Sequence, residues 1–142
     1  MRTWSLRQFV YAMIVIGIVG LLVELLLIEH TETRIQWIPL VVLIAGLASS
    51  IWLAAKPGTA SLRTFQTIMA VFVISGLAGL YFHYAGNVEF ALERDSSLSG
   101  LALAWKALRG ATPALAPGAL AQLGLLGLAY TYTRPTTDSG DS

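Results

Sequence analysis

The chain has 142 residues, 56% of them hydrophobic and 12% charged, with a net charge of +1 and a mean hydropathy of +0.69. A soluble domain carries roughly 25% charged residues, so half that share leaves too few ions to solvate a water-facing surface. There is no cysteine, which excludes disulfides, thiolate metal sites, covalent c-type haem attachment and a lipid-modified cysteine, and no basic patch interleaved with aromatics supports a nucleic-acid partner.

The first segment begins with Arg2 and Arg7 and then runs apolar from about 8 to 28, interrupted only by Glu24. A secretory signal would have a shorter core, about 7 to 15 residues, and a small-x-small cleavage site. Glu29-His30-Thr31-Glu32 follows instead, so the segment reads as a retained helix. The second segment, about 37–55, carries no charge, and Pro39 suits a first helical turn where its missing N–H costs nothing. Lys56-Pro57-Gly58-Thr59 is a turn signal. The third segment covers about 65–84 and the fourth about 115–132. Thr112-Pro113 and Pro117 are competing starts for the fourth.

Each segment approaches the ~20 residues that cross a ~30 Å hydrocarbon core, and within lipid the backbone must satisfy its own hydrogen bonds, which makes them helices. The expected fold is all-α: a polytopic membrane protein, a single four-helix transmembrane domain over 1–134. After Arg134-Pro135 the apolar-free run Thr-Thr-Asp-Ser-Gly-Asp-Ser reads as a disordered tail over 135–142.

The connection between the third and fourth segments holds a further element. Over 97–109 the residues Leu98, Leu101, Ala102, Trp105 and Leu108 fall on one helical stripe, with Ser96 or Ser97 as cap. It reads as a short amphipathic helix, either in the outer headgroup region with Trp105 at interface depth or packed on the ends of the transmembrane helices. Ahead of it, Asn87 is placed to cap a turn holding Glu89 and Glu93.

Orientation follows from cations near the helix ends. One side holds Arg2, Arg7, Lys56, Arg63 and Arg134; the other holds Arg34, Arg94, Lys106 and Arg109, three of them in the longest loop. Both termini are therefore expected on the cytoplasmic face of an inner or plasma membrane. Small residues recur at helical spacing: Gly17 and Gly20, Ala45/Ser49, Gly46/Ser50, Ser75/Gly79, and Gly118, Gly124 and Gly127. Such positions let helices approach closely in lipid, within one chain or between subunits.

Two groups of residues could carry chemistry. Glu24 is the one charged residue inside an apolar span, with Gln122 or the Tyr81 hydroxyl as its expected partner. Such a residue marks a proton or cation site by default, against a structural hydrogen bond or a carboxylate that reaches water. The second group is an outer set, His30, His83, Glu89 and one of Glu29 or Glu32, of a type that binds divalent zinc, iron or manganese. The competing account is that water-facing loops collect polar residues. No phosphate-binding loop, nucleophile elbow or mid-membrane histidine pair occurs, so no catalytic residue and no cofactor is expected, a divalent metal at the outer set excepted.

The functional expectation is a non-catalytic accessory or assembly subunit of a larger membrane complex, with the bilayer and other subunits, or further copies of the chain, as partners. The alternatives are a small proton- or cation-linked transporter component using Glu24, and an outer-face Glu/His metal-binding protein.

Overall fold

Helix α1 spans Leu6–Leu27, and its start is set by a reciprocal cap. The Gln8 amide donates to Ser5 Oγ at 3.2 Å and the Ser5 amide donates to Gln8 Oε1 at 3.0 Å. Together these satisfy two amides that a helix start leaves without intrahelical partners. The other end closes in a Schellman arrangement. His30 N–H donates to Leu25 C=O (3.0 Å) and Glu29 N–H to Leu26 C=O (3.2 Å), with Glu29 in the left-handed region at φ 52°. This reversal usually takes glycine.

Helix α2 spans Trp37–Ala55, with Pro39 in its first turn as expected. The connection into it is tied down locally: Trp37 Nε1 donates to Thr31 C=O at 3.1 Å and the Thr33 amide to Gln36 Oε1 at 2.8 Å. Pro57 and Gly58 turn the chain, the Gly58 amide donates to Ser61 Oγ at 3.1 Å, and that hydroxyl donates to Lys56 C=O at 2.8 Å. Helix α3 then runs from Thr59 to Arg94. It is far longer than the 65–84 expected: 36 residues give about 54 Å at 1.5 Å per residue. Asn87 accordingly lies inside this helix rather than at a new cap.

Helix α4 spans Gly100–Leu108, shorter than the expected 97–109, and follows Ser99 rather than Ser96 or Ser97. Ser97 instead donates through N–H and Oγ to Asp95, at 3.1 and 2.6 Å. Helix α5 spans Gly118–Tyr132 directly after Pro117, which matches the later of the two expected starts. The computed structural model describes residues 5–110, 115 and 117–132. Thr112-Pro113 and the expected tail lie outside the described residues.

All regular structure among the described residues is helical, and α1, α2 and α3 are each long and apolar enough to cross a membrane. The packing follows a ring: α1 on α2, α2 on α3, α3 on α5, and α5 back on α1, with α4 against α3. Small residues set the closest approaches. A Cβ on Gly76 would stand 2.5 Å from the Ala121 amide nitrogen, and one on Gly124 would stand 2.6 Å from the Met69 carbonyl oxygen. A Cβ on Gly46 would enter the Phe72 ring. Ser49 and Ser50 on that α2 face are buried, with hydroxyls donating to Gly46 C=O at 2.9 and 2.8 Å. Gly76 was not among the expected small-residue positions, and Gly20 on α1 has open space around it.

The core is apolar: Ile14, Ile18, Leu43, Leu53, Phe65, Met69, Phe72 and Leu120. The surface is apolar too. Ile16, Val23 and Leu27 on α1, Val41, Ile44 and Ile51 on α2, Ile74 and Leu77 on α3 and Leu125 on α5 are all exposed. Only 11% of the α1 span is buried inside the fold. An outside of this kind fits a hydrocarbon solvent, in which side chains need no polar coat.

Candidate functional site

The two ends of the ring differ in chemistry. At one end a tyrosine knot ties the helices together. Tyr11 on α1 donates its hydroxyl to Ser50 C=O on α2. Its ring lies 5.3 Å from that of Tyr130 on α5, which meets Phe65 on α3 edge-on at 6.2 Å. The Arg7 guanidinium sits over the Tyr130 ring at 4.6 Å, an attraction between cation and ring quadrupole. In the sequence Arg7 is legible only as a topological charge, and nothing there joins it to Tyr11 or Tyr130. Their common depth depends on the registers of three helices.

At the opposite end the chain brings the two histidines together. The Schellman turn after α1 swings His30 back over the helix end. There it faces His83 of α3, with ring centres 6.5 Å apart and planes tilted by 42°. Both are half-buried. Burial, and secondarily the neighbouring His83, hold the His30 pKa below its ordinary value, because each disfavours a charged imidazole. Of the expected carboxylates, Glu29, Glu32 and Glu89 are exposed. Among the described residues no three histidine, aspartate or glutamate side chains converge.

Glu24, Gln122 and Tyr81 all lie at the surface. Glu24 and Gln122 are both exposed on the outer surface of the ring. Gly17 of α1 abuts Leu123 of α5. Counting from that contact, Glu24 is seven residues along one helix and Gln122 one residue along the other. At 1.5 Å per residue they differ in depth by about 9 Å. Tyr81 is exposed and packs edge-on against Phe82 at 5.7 Å, and its helix α3 lies diagonally across the ring from α1.

No family model, no curated protein and no solved structure matches this chain. Its functional reading therefore rests on its own geometry.

Helix α4 docks on the stretch of α3 beyond His83. Asn87, 4% exposed, donates Nδ2–H to Ala107 C=O at 2.9 Å, and the missing side chain of Gly110 leaves room for that amide. Ala107 is fully buried, whereas Leu101, Trp105 and Leu108 point outward, 89%, 63% and 44% exposed, and Leu98 is half-buried. Arg109 reaches over the Trp105 ring at 5.8 Å. The expected apolar stripe thus faces away from the protein, and a second, small-residue face holds the helix in place. Asn87, which carries that contact, was missed as a packing residue. Its signal was a polar side chain continuing the helical period of α3.

Proposed function

We propose that α1, α2, α3 and α5 all cross the bilayer as a four-helix bundle with both termini cytoplasmic, and that the protein is a non-catalytic accessory or assembly subunit of a larger membrane complex. Helix α5 has 15 residues, about 22 Å. Its contacts run from Pro117 beside Gly79 to Tyr130 beside Phe65, which supports its lying in one layer with α3. A span this short is accommodated by local thinning of the bilayer. The excess of Lys and Arg at the Arg7 end favours that end as the cytoplasmic one. The outward stripe of α4 then suits the opposite headgroup layer.

The observation that carries the functional reading is the exposed carboxylate of Glu24 on the least buried span. Insertion scales put a central aspartate at about 2.5–3.5 kcal/mol, with less toward a helix end, and polar groups at such depth face a partner or water. Here the carboxylate faces away from its own bundle, one turn from the open surface at Gly20. A second transmembrane chain presenting a hydrogen-bond donor at that depth would satisfy it. Transport through the bundle has less support, because Glu24 does not line the apolar core.

The test is purification in mild detergent with mass measurement of the intact particle. The expected particle exceeds one 15.2 kDa chain, and Glu24→Leu or Gly20→Val releases the partner while the released chain keeps its own melting temperature. A lone monomer for the unaltered chain, with no co-purifying protein, would overturn the proposal.

A further inference from the structure

We propose that His30 and His83 form a binding site for one borderline-soft divalent metal ion, Zn2+ or Cu2+, at the end of the ring remote from Arg7. The proposal stands apart from the accessory-subunit reading, because it uses neither Glu24 nor a second chain.

The geometry suits a shared ion. A metal–nitrogen bond of roughly 2 Å puts each ring centre about 3.2 Å from the metal, so centres lie about 5 Å apart in a tetrahedral pair and about 6.4 Å apart in a linear one. The observed 6.5 Å stands just outside that range, and a tetrahedral ion would draw the two rings together by about 1.5 Å.

The backbone holds His30 there. Glu29 accepts a left-handed conformation that only glycine adopts without strain. Trp37 Nε1 grips the adjoining Thr31 carbonyl, so the ligand is positioned before metal arrives. The partner imidazole sits on a continuous helix, a rigid support. The neutral ring is the ligating form.

Donor type sets the preference. Imidazole suits zinc and copper, whereas magnesium and calcium require oxygen ligands. With two protein ligands, water completes the coordination and leaves positions open. Structurally, the ion would link the α1–α2 connection to α3, which lies diagonally across the ring from α1.

The experiment uses the full chain in detergent, purified without a histidine tag. Zn2+ affinity is read by competition with a chromophoric chelator, and melting is followed with and without Zn2+. The expected result is one saturable site. His30→Asn and His83→Asn should each weaken binding about tenfold or more, with the double variant no worse than the weaker single, since both ligands serve one ion. Zn2+ should raise the melting temperature of the unaltered chain alone. Should the variants fail to fold, Cu2+ bound to the unaltered chain supplies the independent reading: its electron paramagnetic resonance should show two coupled imidazole nitrogens. Unchanged affinity in folded variants, no saturable one-to-one site, or fewer than two coupled nitrogens would overturn the assignment.

Discussion

Glu29 holds a conformation that most side chains resist, at φ 52°, and its amide and that of His30 close the end of α1. A left-handed non-glycine residue costs roughly 1–2 kcal/mol. Glu29→Gly is therefore expected to stabilise the protein by about 0.5–1 kcal/mol, read as a higher melting temperature in detergent. A lower one would show that the carboxylate itself supports the fold. Gly76 is the opposite case. Its place against the Ala121 backbone leaves no neighbour able to yield, so Gly76→Val is expected to cost about 1–3 kcal/mol or more by the same assay. Gly20→Val, with open space around it, should leave the isolated chain within about 0.5 kcal/mol of its original stability. The two glycines look alike in sequence, and only the facing helix separates them.

The length of α3 was only partly legible. Its apolar centre marked a helix over 65–84, but hydropathy reports the surrounding solvent, not the backbone conformation. The buried Asn87 and Ala91 keep the i, i+4 spacing of α3 after the apolar run ends, and the helix continues until Asp95 caps it. That overhang is what α4 packs on. Asn87 donates a side-chain hydrogen bond to the buried Ala107 carbonyl of α4, which also accepts from the Gly110 amide, so Asn87→Ala removes one of two donors at a cost of about 0.5–1.5 kcal/mol. The expected outcome is local: faster proteolysis or hydrogen exchange over residues 100–108, with α1, α2 and α5 unchanged. Uniform loss of protection throughout would show α4 to be integral to the whole ring.

At the scale of the whole molecule, pH acts through the histidine end. His30 is held below its ordinary pKa in the fold, so between that value and about pH 6.5 the unfolded chain binds more protons than the folded one. Stability is then fully present above about pH 6.5 and falls as the pH drops through the folded pKa. Melting from pH 8 to pH 5 should show that decline, and His30→Gln should flatten it. An equal decline in the variant would assign the effect to other groups. The same protons compete with metal, so a Zn2+-induced rise in melting temperature should shrink over the same window.

The sequence by itself determined the local structure: the positions of the apolar runs, the turn at Pro57-Gly58 and the amphipathic stripe through Leu101, Trp105 and Leu108. These depend on composition, periodicity and backbone chemistry within a few residues. The tertiary structure decided which residues meet. It set His30 beside His83, Arg7 over Tyr130, Gly76 against Ala121 and Asn87 on Ala107. Each of those outcomes depends on the register between helices distant in sequence. Register is fixed by how small residues let backbones approach, a property of pairs of surfaces that no single segment carries.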